Sequence, residues 1–78
     1  MLIFMERIEI TPDVRSGKPC IKNTRITVGD ILKWLGAGMS VDQIIEDFPQ
    51  LNKEDILAAI NFAAYRDQIT IISPNTAA

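Results

Sequence analysis

The sequence predicts a small α+β domain: a short N-terminal strand and a β-hairpin, followed by a three-helix bundle containing a helix-turn-helix. Three observations lead there. Near the N-terminus, Ile8 and Ile10 alternate with charged neighbours, the period of a strand. Gly17 and Pro19 then punctuate a short apolar stretch. Further on, Thr27, Ser40 and Asn52 are each followed three positions later by Asp30, Gln43 and Asp55, the spacing of a capping box. A chain of 78 residues holds one such domain, with a core of marginal size that a neighbouring chain would extend.

The first strand is expected over Glu6–Thr11, broken by Pro12-Asp13. The hairpin is expected with Lys22-Asn23 as its two-residue loop, because such a loop needs φ > 0 and Asn tolerates it. That register pairs Ile21 with Thr24, Cys20 with Arg25 and Pro19 with Ile26. It turns Pro19, Ile21, Thr24 and Ile26 toward the core and leaves Lys18, Cys20 and Arg25 outside. Thr27 opens the first helix, whose stripe is Val28, Ile31, Leu32 and Leu35, and Gly36-Ala37-Gly38 ends it. Trp34 lies beside that stripe as a tryptophan at the core edge. Ser40 opens the second helix with Val41, Ile44, Ile45 and Phe48, and Pro49 stops it. The third helix is expected from Lys53 to about Arg66, the second and third together reading as a helix-turn-helix of homeodomain-like or winged-helix-like kind. Ile69-Thr70-Ile71-Ile72 has strand composition and Ser73-Pro74 closes it. The division is therefore an N-terminal extension over residues 1–5, the domain over 6–66, and a tail with a short strand over 67–78. Met5 is a second candidate start.

Hydrophobic residues make up 47% of the chain, enough to fold, and the net charge of −2 argues against a general polyanion binder. The single cysteine excludes an internal disulfide and suits a reducing cytoplasm, where the protein is expected. The apolar start, Met1 to Met5, is too short and lacks the basic leader of a signal peptide. No apolar run approaches the ~20 residues that cross a bilayer, so no membrane partner is expected.

The residues Gly17-Lys18-Pro19-Cys20-Ile21, Asn23-Thr24-Arg25-Ile26-Thr27-Val28 and Gly38-Met39-Ser40 carry a resemblance. Phe48-Pro49-Gln50-Leu51, Glu54-Asp55-Ile56 and Ala58-Ala59-Ile60 extend it. In this order they resemble the bacterial domain of unknown function 433 family, from about Glu6 to Tyr65. The chain departs from the family's pattern in having Asn23 where Gly is usual. Members look like small helix-turn-helix proteins fronted by a β-hairpin, many similar to antitoxins of VapBC-like pairs. The resemblance therefore implies a PIN-like ribonuclease toxin as partner.

Catalysis fares poorly on the residues themselves. There is no histidine, and no serine or cysteine has a base beside it, so no catalytic residue, cofactor, metal or small-molecule substrate is expected. Asp42 and Glu46 read as a solvated acidic face. Cys20, between Lys18 and Arg25, reads as a structural thiol before a reactive one. A helix-turn-helix makes DNA a candidate, yet its second helix opens Lys53-Glu54-Asp55. From Asp42 to Asp55 five acids stand against one lysine, and phosphates would be repelled. Arg15, Lys18, Lys22, Arg25 and Lys33 against Asp30 make residues 15–33 basic instead. DNA or a toxin is therefore expected to meet Lys18, Lys22 and Arg25. In the third helix Ile56, Ile60 and Ala63 are assigned to the core. Ala58, Phe62 and Tyr65 form a second stripe, which with Ile69 and Ile71 is expected to serve a protein interface. A non-enzymatic antitoxin-like protein, homodimeric or partner-dependent, is the leading expectation. A DNA-binding regulator without a toxin, or a structural homodimer, is the alternative.

Overall fold

The computed structural model describes residues 6–71, with the side chains of 68–71 left aside. Within them the chain is a small α+β fold with a two-stranded antiparallel sheet and three helices. Strand β1, Ile8–Glu9, pairs with β2, Cys20–Ile21, placing Ile8 opposite Ile21 and Glu9 opposite Cys20. Arg15–Gly17 forms a 3₁₀ turn between them. Helix α1 is Val28–Gly36, α2 is Val41–Asp47 and α3 is Lys53–Ile71. None of these helices is long and apolar enough to cross a membrane.

All three helix starts follow the capping logic. The amide of Asp30 donates to Thr27 Oγ1 (2.8 Å), and Thr27's own amide donates to Asp30 Oδ2 (3.1 Å). Ser40 with Gln43, and Asn52 with Asp55, make the same reciprocal pairs. Each pair satisfies two donors that the first helical turn leaves open. The third pair reaches further. The Arg7 guanidinium donates to Asp55 Oδ1 (3.1 Å) while Asp55 Oδ2 accepts from the Asn52 amide, so the residue before β1 is tied to the start of α3. Asp55 is buried, and the cation beside it meets the requirement that a buried carboxylate be paired.

The core lies where the helices and the sheet converge. Ile31, Ile44 and Ile56, one from each helix, are fully enclosed, and Ile8 and Ile21 close the sheet side. Trp34 and Phe48 pack against this cluster from its edge, their rings stacked.

Four expectations need correction. The first strand is shorter than Glu6–Thr11, and Ile10, beyond its end, is 59% exposed. The hairpin closes two residues further along: the Ile21 amide donates to Ile26 O (2.9 Å), and Cys20 sits opposite Thr27. Thr24 explains the change, because its hydroxyl donates to Ile21 O (2.8 Å) and accepts from the Ile26 amide (3.0 Å). The side chain thus replaces a ladder contact and widens the loop. The displacement is even, so Ile21 and Ile26 still face inward. Cys20, expected outside, is 2% exposed, because β2 is flanked by β1 on one side and by Thr27 on the other.

The fourth correction concerns α3, which is apolar on both sides and therefore ambiguous in rotation. Ala58, Ala59 and Phe62 join Ile56 in the core, while Ile60 turns outward at 38% exposure. The strand expected at Ile69–Ile72 is helix as far as Ile71, the remainder lying outside the described residues. Strand propensity is realised only against a neighbouring strand, whereas a helix already under way gains one hydrogen bond for each residue added.

Candidate functional site

The basic segment forms the face where β2, the 3₁₀ turn and the start of α1 meet. Backbone geometry sets it up. Arg15, Ser16 and Gly17 all have positive φ (49°, 60° and 77°), a sharp left-handed turn that brings the chain back toward β2. The side chain of Arg15 secures this turn by donating to Arg25 O (2.7 Å) and to Asp30 Oδ2 (3.0 Å). Burial acts to raise the Asp30 carboxyl's pKa. The Thr27 amide, the Arg15 guanidinium and the Thr27 hydroxyl outweigh it and hold that pKa below the ordinary value.

Arg15 is thus an internal staple, and the basic segment presents fewer outward charges than its composition implies. Lys18, Lys22 and Arg25 are exposed, and none of their charged groups takes part in an ion pair among the described residues. They do not share one surface pocket. Lys18 borders a cleft of about 530 Å³ with Lys33 and Arg66, floored by Pro19, Val28, Leu32 and Phe62, with Asp30 and Asp67 on its rim. Arg25 borders a separate hollow of about 390 Å³ beside Glu9, Cys20 and Asn23. Lys22 and Asn23 occupy the turn between them, where Asn23 has φ 64° and its amide lies 3.4 Å from Glu9 Oε1. The result is a cationic ridge along the hairpin with a hollow on each side.

Sequence reasoning missed Lys33 and Arg66 as cleft neighbours of Lys18. Nothing local signals that α3 returns past the start of α1. The Cys20 thiol donates to Lys18 O (3.4 Å) inside the fold, a structural contact.

Of the residues assigned to a protein interface, Ala58 and Phe62 are enclosed by the chain itself, and Arg66 lies over the Phe62 ring at 5.6 Å from its centroid. Tyr65 is 40% exposed. The side chains of Ile69 and Ile71 lie outside those described. Besides Tyr65, the large apolar residues that α3 turns outward are Leu57 and Ile60.

A family profile described as "Protein of unknown function (DUF433)" matches residues 8–63. The uncharacterized protein y4eO of Sinorhizobium fredii (strain NBRC 101917 / NGR234) is 34% identical over 58 residues, 74% of this chain and 26% of the relative. The chain therefore spans about a quarter of that relative's length. The crystal structure of a DUF433 member protein from Anabaena variabilis ATCC 29413 is similar with a TM-score of 0.77 at 29% identity. The similarity covers 85% of this chain and 65% of that one.

Proposed function

The chain belongs to the DUF433 family of proteins of unknown function, and from the exposed cations of its hairpin we propose that it is a non-enzymatic, antitoxin-like binding protein. Its partner in this reading is a PIN-like ribonuclease, which it neutralises by direct contact. The observation that carries the reading is the hairpin ridge: Lys18, Lys22 and Arg25 stand exposed, and without an ion pair among the described residues, on an otherwise acidic protein. A nuclease of this class holds Mg²⁺ with carboxylates. A guanidinium delivered to such a site forms paired hydrogen bonds with a carboxylate and competes with the metal. Arg25, at the narrow end of a hairpin, is placed to enter a cleft.

The test is co-expression with the product of the adjacent gene. A stable complex and relief of that product's toxicity are expected, with Arg25→Ala weakening the relief. A neighbour without nuclease activity, or one that does not bind, overturns the reading.

The same ridge supports a second reading, a DNA-contacting regulator. Here α2 and α3 would form the helix-turn-helix, and the hairpin would supply the phosphate contacts. The outer start of α3, with Glu54 and Leu57 exposed, suits a phosphate backbone poorly. In that case Lys18→Ala, Lys22→Ala or Arg25→Ala should each lower the log–log salt slope by about one unit. Lys53→Ala should leave it unchanged.

A further inference from the structure

We propose that α3 carries a self-association seam, and that two copies of the chain pair through it antiparallel. The inference does not rest on the toxin reading: Leu57 and Ile60, its apolar middle, line neither of the hollows beside the hairpin ridge, and only Asp67 also borders the Lys18 cleft.

The seam consists of Lys53, Leu57, Ile60, Ala64 and Asp67. All five are exposed, with Leu57 at 46% and Ile60 at 38%, while the opposite side of the same helix is buried in the core. Their spacing is four, three, four, three. That is the repeat by which one helix keeps a single line of side chains against another over several turns. Leu57 and Ile60 supply bulk at the middle of the line, and Ala64 lets a second helix come close.

The charges select the partner and its direction. Lys53 closes the seam at the N-terminal end and Asp67 at the C-terminal end, and neither forms an ion pair among the described residues. They lie at equal distances on either side of Ile60. When a second copy is laid antiparallel across Ile60, Lys53 of each copy falls within about a turn of Asp67 of the other. A parallel pair would set lysine against lysine and aspartate against aspartate, which is repulsive. Antiparallel packing also opposes the two helix dipoles favourably. The seam is thus self-complementary in one orientation only, as a two-fold contact requires. Glu54, Asn61 and Tyr65 flank the line and stay at its rim.

A single helix pair falls at the small end of stable interfaces, which bury about 800 Å² per partner, so the dimer is reversible, with a dissociation constant on the order of 10 µM. Sedimentation velocity of the full chain over roughly 1–200 µM tests it. The wild type should pass from monomer to dimer within that range. Lys53→Glu and Asp67→Lys, taken singly, should each weaken association about tenfold, since both contacts become repulsive. The double variant K53E/D67K should return to near the wild-type value, because the charges are exchanged and the orientation is not. Ile60→Glu, at an exposed position, should give a monomer with unchanged circular dichroism and melting. A wild type that stays monomeric throughout, a dimer indifferent to Ile60→Glu, or a double variant as weak as the single ones overturns the proposal.

Discussion

The indole of Trp34 lies flat on the ring of Phe48, with centroids 4.3 Å apart and planes within 11° of parallel. These two residues join the last turn of α1 to the end of α2, across the Gly36–Gly38 turn. Neither ring is fully enclosed, so the stack works as a lid on the core edge. Phe48→Ala should cost about 2–3 kcal/mol, less than for a fully buried ring, and should shift tryptophan emission to the red. Urea unfolding followed by fluorescence reads both effects at once, and an unchanged midpoint would contradict the packing described.

Asp30 makes stability depend on acid in a defined direction. Its carboxyl titrates below the ordinary 3.8, so the native state prefers the ionised form. The contribution is therefore complete above pH 3.8 and is lost as the pH falls through the lower native value. Asp30→Asn should cost about 1 kcal/mol at neutral pH. The gap between variant and wild type should narrow as the solution is taken down from pH 3.8. A gap that is constant across this range would mean the charge of Asp30 has no part in holding Arg15 and the α1 cap.

Asn23 supplies the left-handed residue of the widened hairpin loop. Asn23→Gly should be neutral or stabilise by a few tenths of a kcal/mol. Asn23→Val should cost about 1–2 kcal/mol, because a branched Cβ clashes in that conformation. Thermal melting of the two variants checks the order.

Cys20 should resist a thiol reagent in native buffer and react only as the chain opens, at a rate that follows global unfolding. Fast stoichiometric labelling of the native protein would show that β2 is not covered on both sides.

How much of this was legible in advance divides by range along the chain. The three capping pairs, the helix starts they dictate, the left-handed Asn23 and the half-buried Trp34 were all readable, because each depends on neighbours within one turn. The hairpin register was not, since it turned on the Thr24 hydroxyl competing with the backbone for Ile21 O and the Ile26 amide. The cleft beside Lys18 was not readable either. Lys33 and Arg66 come to it only through the packing of α1 on α3. The assignment of α3's faces failed for a different reason. Ile60 and Phe62 have equal claims to the core, and hydrophobic pattern alone does not choose between them.

The bond between Arg7 and Asp55 favours the setting observed. A helix that is apolar on two sides has two rotational settings of comparable burial, one with Phe62 inward and one with Leu57 and Ile60 inward. Left to the hydrophobic effect, such a helix is a degenerate element, and a chain containing it risks a mixture of native states. Asp55 lies on one side only, and its carboxylate meets the Arg7 guanidinium only when that side faces the sheet. The ion pair is then less a source of net stability than a key that lifts a degeneracy. A variant with Arg7→Met and Asp55→Asn, which keeps a side-chain oxygen for the Asn52 amide, should retain its helices and much of its stability while losing the sharp, singly populated spectrum of a unique fold.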